Sequence, residues 1–194
     1  MAGFNIHFAV GKRYTEKNKN VNAEELTDGN IDPDLKRDKV KSHYTIPSPV
    51  EDLETHLKNK IHLERFLNEN SLDSDFKKGQ FLHLVTDFLF FNAFFDKEYI
   101  KTVSYADFCK SLYHSYDLTN QHVKEKYQID YGKYTPLLSG MVEKTRVVRN
   151  LSDDDEYSNI LPVEKLDAFI EYVSSIDLEE YASKIMQSQQ NMLP

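Results

Sequence analysis

Cysteine is almost absent from this chain of 194 residues, with Cys109 alone. One thiol excludes an intramolecular disulfide and any zinc site built on several thiolates, and it suits a reducing compartment. Within "YADFCKSLY" it reads as a small residue on the apolar side of a helix. Glycine and proline are scarce, six of each, and tryptophan is missing. Basic excess is missing too: 24 Lys and Arg face 32 Asp and Glu, for a formal charge of -8. That balance gives no strong nucleic-acid signal and no footprint for an anionic membrane, although a local basic substrate path stays open. The longest apolar run, residues 81 to 95, is interrupted by His83 and Asp87. It falls short of the roughly 20 residues a membrane-spanning helix needs, so no transmembrane segment is expected. The opening "MAGFNIHFAVGKRYTEKN" has no charged segment ahead of a long apolar one, so no signal peptide is expected and the protein reads as cytoplasmic.

What is present is helical spacing. With 40% hydrophobic residues, the chain reads as one all-α domain over 1–194, a multi-helix bundle around a central apolar helix. A first helix is expected over about 4–18, then a mostly irregular, proline-bounded stretch to about residue 50. An amphipathic helix should follow over about 50–70, with Leu53, Leu57, Ile61 and Phe66 at helical spacing and acidic residues in its first turn. "SLDSDFKKGQFLHLVTDFLFFNAFF" begins with capping residues and then turns apolar on nearly every face, as a central helix does. Further helices are expected over 104–116, 119–128, 133–148 and 162–187, with the acidic "SDDDEY" as an exposed connection.

The central helix poses the chemical question. His83 and Asp87 stand four apart, so they share one face and reach a common point. They either hydrogen-bond to each other or form a rung of a metal site. An ionised aspartate in so apolar a segment is costly unless a cation or several donors compensate it. Upstream, His7 lies in apolar "NIHFAVG", Asp34 follows Pro33 in "GNIDPDL", and His43 lies in "KSHYT". Three imidazoles and two carboxylates make a ligand set suited to zinc or another first-row divalent ion such as Mn2+, Ni2+ or Fe2+.

"HFAVG" at 7–11, "LTDGNIDPDL" at 26–35, "KVKSHY" at 39–44 and "FKKGQFLHLVTD" at 76–87 together resemble, in order and spacing, the zinc-dependent phospholipase C family. The resemblance covers about residues 4–95. It implies an all-helical fold and a zinc cluster that hydrolyses phosphodiesters, phospholipids included, with related nucleases on the same architecture. It further implies that His7 binds one metal, His43 and His83 bind its neighbour, Asp87 bridges the two, and Asp34 contacts the metals or serves as catalytic base. Members with a third zinc carry a histidine six residues after the bridging aspartate, where this chain has Ala93, and a later histidine and glutamate separated by three residues. His114 and His122 are followed four residues on by Leu118 and Lys126 instead, so two ions are expected at most.

The expected function is therefore metal-dependent hydrolysis of small-molecule or lipid phosphate esters, with a nuclease or phosphomonoesterase using the same site as a rival. A helical binding module that keeps the scaffold and one metal is a third possibility. His56, His62 and the pair His122 and Glu125 read as surface or boundary residues, and His114 as the one extra histidine that could approach the cluster. The twelve Phe and twelve Tyr read chiefly as core.

Overall fold

The computed structural model describes residues 2–136, 138 and 157–190. Among the described residues every regular element is helical, and the chain forms an all-α bundle. The first half holds α1 (Phe4–Lys17), α2 (Ala23–Leu35), the single turn α3 (Lys39–Ser42), α4 (Leu53–Lys58), α5 (Leu63–Glu69) and α6 (Asp75–Leu89). Then come α7 (Lys97–Thr102), α8 (Tyr105–Lys126), α9 (Val163–Val173) and α10 (Leu178–Gln190). No helix among the described residues is long and apolar enough to cross a membrane.

The centre is α6, as its sequence predicts. Ser74 caps it by accepting from the Lys77 N–H, and Asp75 complements the positive end of the helix. Phe81, Leu82, Leu84 and Val85 point in different directions and are all fully buried, because α1, α2 and α5 pack around this helix. Past Leu89 the helix widens into a π turn over Phe90–Phe94, which sends Phe90, Phe91 and Phe94 inward. Phe90 stacks on Phe94 at 5.2 Å and meets Phe169 edge-on at 5.8 Å, tying the end of α6 to α9. The aromatics are thus largely core, with Tyr14, Tyr116, Tyr127 and Tyr134 also buried. Cys109 packs half-buried against the same core.

Several element boundaries differ from the sequence reading. The stretch expected to be irregular up to residue 50 contains α2, which Asn22 starts by accepting from the Glu24 and Glu25 N–H groups. Pro33 sits in the last turn of that helix, so Asp34 is aimed by a helix end rather than by a proline-bounded loop. Gly29 is a point of contact there. A Cβ on Gly29 would lie 1.9 Å from the Phe76 carbonyl oxygen, and one on Gly79 would lie 2.1 Å from that of Leu26. Only hydrogen at both positions lets α2 and α6 touch backbone to backbone, and that contact carries Asp34 toward His83 and Asp87.

The helix expected over 50–70 is broken into α4 and α5. The Ile46 N–H donates to the Asn59 carbonyl at 2.9 Å and the Thr45 hydroxyl to that of Lys60 at 2.6 Å, so the chain passing beside the break takes the carbonyls that a continuous helix would use. Conversely, 104–116 and 119–128 join into one α8, in which Ser115 and Thr119 fold their hydroxyls back onto the carbonyls of Ser111 and Ser115. The segment 162–187 divides where Asp177 caps α10 by accepting from the Glu179 and Glu180 N–H groups. Of the helix expected over 133–148, residues 137 and 139–148 lie outside the described residues, as do 152–156 of the acidic run.

Candidate metal centre

Four elements deliver five polar side chains to one point in this apolar interior. His7 comes from the second turn of α1, Asp34 from the end of α2, His43 from the residue that closes α3, and His83 and Asp87 from consecutive turns of α6. All five are buried, none more than 3% exposed. His83 Nε2 lies 3.1 Å from His43 Nε2, and Asp87 Oδ2 lies 3.6 Å from the first and 3.7 Å from the second. Asp34 Oδ1 is 3.5 Å from His43 Nε2. On the other side, Asp87 Oδ1 is 3.4 Å from His7 Nε2, and the His7 ring stacks on His83 at 3.8 Å. His7, His83 and Asp87 form one group with metal-ligating geometry, and Asp34, His43 and His83 a second.

Hydrogen bonds around the cluster fix what two of its three imidazoles present to it. His83 Nδ1 lies 2.7 Å from the Asn30 carbonyl, which can only accept, so Nδ1 carries the proton and Nε2 a lone pair. Ser42 gives its one proton to the Pro33 carbonyl at 3.0 Å, so His43 Nδ1, 2.9 Å from the same hydroxyl, donates to it, and His43 Nε2 likewise presents a lone pair. Two acceptor nitrogens therefore face each other at 3.1 Å beside two carboxylates. Neutral imidazoles repel in that arrangement, and a cation between the acceptors reverses the sign.

Unpartnered atoms mark the same place. His7 Nδ1 and Nε2, Asp34 Oδ1 and Asp87 Oδ2 are buried without a hydrogen bond. What neutralises the carboxylates from the protein side is limited: the Ala2 backbone N–H donates to Asp87 Oδ1 at 2.5 Å, and the Lys39 ammonium contacts the Asp34 backbone carbonyl and stands 3.5 Å from its Oδ1. The donor set, three imidazoles and two carboxylates with the outer nitrogens of His43 and His83 oriented by neighbours, fits a first-row divalent metal.

No family model, no curated protein and no solved structure matches this chain. The site must be read from its own geometry.

That geometry gathers all five residues singled out in the sequence and leaves the other histidines outside. His114 stays half-buried on α8 with its ring 5.9 Å from that of Tyr157. His122 holds Asp167 at 3.0 Å, His62 pairs with Glu64 and His56 with Ser48. Asn92 Nδ2 donates to the Phe88 carbonyl within its own helix. Two contributors carry no sequence signal. Asn30 orients His83 through its carbonyl and anchors α1 by donating its Nδ2–H to the His7 carbonyl at 2.7 Å, and Ser42 orients His43. Metal affinity is expected to fall roughly 10- to 100-fold in Ser42→Ala, measured by competition with a chromophoric chelator, with the fold intact.

Burial pushes the His83 imidazole down, to about 3, helped by neighbouring His7. Burial alone would push Asp87 and Asp34 up. The neighbouring imidazoles, His7 and His83 for Asp87 and His43 with His83 and His7 behind it for Asp34, hold both well below the usual carboxylate range instead. Unfolding releases His83 to its ordinary value of 6.5, so its contribution to stability is complete above that pH and is lost as the pH falls toward about 3. Urea midpoints of chelator-treated protein should therefore drop steadily from pH 7 to pH 5, and more steeply below that, where the carboxylates of the unfolded chain begin to protonate.

Proposed function

We propose that the five residues hold divalent metal, zinc foremost, and that the protein is a metal-dependent hydrolase of phosphate esters. The observation that carries this reading is the pair of imidazole lone pairs meeting at 3.1 Å between two buried carboxylates. His83 has one free nitrogen and so serves one ion, together with His43 and Asp34. Asp87 turns Oδ2 toward that pair and Oδ1 toward His7, the disposition of a carboxylate bridging to a second position. Bound metal in such a site lowers the pKa of water and polarises a phosphoryl group. Asp34, with Oδ1 unpartnered and Lys39 beside it, is placed to accept a proton from water or to complete the metal's shell.

The burial of all five residues favours a second reading, a closed metal that holds the helices together without catalysis. Elemental mass spectrometry on protein purified without chelator, followed by assay on bis(p-nitrophenyl) phosphate, separates the two. The hydrolase reading expects one to two zinc per chain and turnover that falls at least 100-fold in folded Asp34→Asn. Metal without turnover on phosphate diesters or monoesters supports the closed site. Protein that stays metal-free after incubation with zinc, manganese and nickel overturns both.

A further inference from the structure

A cleft of about 450 Å³ lies on the outer side of the residues that orient the cluster. Its wall includes Pro33 and Ser42, the chain neighbours of Asp34 and His43, and Leu84, the neighbour of His83. The chain as a whole is acidic, yet Arg37 from the α2–α3 turn, Lys41 from α3 and Lys77 from α6 line this one cleft, and none has an ion-pair partner among the described residues. Of the acids there, Asp32 already serves Lys36 at 2.7 Å and Gln80 at 2.9 Å, and Asp38 caps α3.

Lys77 is held in place. Its ammonium donates to Asn70 Oδ1 at 2.7 Å and to Gln80 Oε1 at 3.1 Å, two neutral acceptors. A third N–H and the whole charge remain for a ligand. Asn70 also donates to the Tyr44 hydroxyl at 3.0 Å, so cation and ring are fixed by one amide. Tyr44 has φ +54°, a left-handed conformation that suits glycine or asparagine and is strained for an aromatic residue. That turn brings its ring against Phe66 at 5.5 Å, giving the cleft an aromatic wall.

We infer that this cleft binds a small organic phosphate monoester, its dianionic phosphate on Lys77 with Lys41 and Arg37, and its apolar portion on the half-buried Tyr44 ring, which Phe66 backs from the core. Lys36, Arg37, Lys41 and Lys77 against Asp32 and Asp38 leave the lining a net charge of +2, which matches a group of nearly two negative charges better than a single carboxylate. A volume of this size admits a compact ligand rather than a polymer. The inference stands apart from the metal reading, because none of these contacts involves a metal ligand.

Titration calorimetry with phenyl phosphate, on chelator-treated and on zinc-supplemented protein, tests it. Saturable binding is expected in both states, about tenfold weaker in Lys77→Gln and several-fold weaker in Lys41→Gln, whose side chain is exposed and makes no structural bond. Inorganic phosphate should bind at least tenfold more weakly than the ester. A monomeric short-chain phosphatidic acid assigns the source: tighter binding than phenyl phosphate indicates a lipid headgroup, weaker binding a soluble ester. Absence of saturable binding, affinity unchanged in both lysine variants, or equal affinity for inorganic phosphate would each overturn the proposal, whatever the metal content proves to be.

Discussion

Gly79→Ala should cost about 3 kcal/mol or more and empty the candidate metal centre in the same step. The new methyl would stand 2.1 Å from the Leu26 carbonyl oxygen, a backbone atom of α2 that no rotamer change can move. Overpacking a helix contact usually costs about 1–3 kcal/mol, and contacts against flexible side chains sit at the lower end. Here the two helices must separate. Gly29→Ala, at 1.9 Å from the Phe76 carbonyl, presses on the same contact from the other side. Each variant moves Asp34 away from His43, His83 and Asp87, so urea denaturation and zinc content should fall together. The double variant should cost less than the sum of the singles, since the first substitution already opens the seam. Gly132→Ala is the control. Nothing lies within 4 Å of its Cβ, so only its φ of +48° is strained, and zinc content should be unchanged.

Asp87→Asn carries the second large effect, and its size depends on metal. With zinc at about 100 times its dissociation constant, the parent should gain roughly 2.7 kcal/mol, or several degrees in Tm for a chain of this size. The variant should gain almost nothing, because it loses the carboxylate that faces His7 through one oxygen and His43 and His83 through the other. Without metal the comparison narrows: the amide removes a buried negative charge and keeps one oxygen that can accept from the Ala2 N–H. Differential scanning fluorimetry with and without zinc checks both statements, with His114→Ala as a variant that should respond like the parent.

Residue chemistry made the five cluster residues legible before any coordinates. A histidine and an aspartate four apart in the least polar helix need a partner, and that demand directed attention to His7, Asp34 and His43. Their common destination was not legible, because it depends on two glycines whose role is contact rather than flexibility. Gly29 and Pro33 suggested a loop by composition, while Asn22 and the acids after it made a helix whose last turn tolerates the proline. Asn30 and Ser42 carry no signal in the sequence because the groups that matter, a backbone carbonyl and a relayed hydroxyl, are available to many residues. Helix ends were missed for the same reason. Asp177 and the carbonyl bonds at Asn59 and Lys60 act through local geometry that periodicity does not encode. The central helix was readable because burial on every side leaves an unmistakable apolar run.

The depth of the cluster also has a kinetic meaning. With His7, His83 and Asp87 fully enclosed and Asp34 and His43 at 3% and 2% exposure, an ion arriving from solvent meets a shut door. Entry waits on a local opening, and the short α3 turn, held by Lys39 and Ser42 on the carbonyls of Asp34 and Pro33, is the piece with least to lose. Uptake by folded protein should then proceed at a rate that levels off as zinc concentration rises, while zinc present during refolding is captured at once.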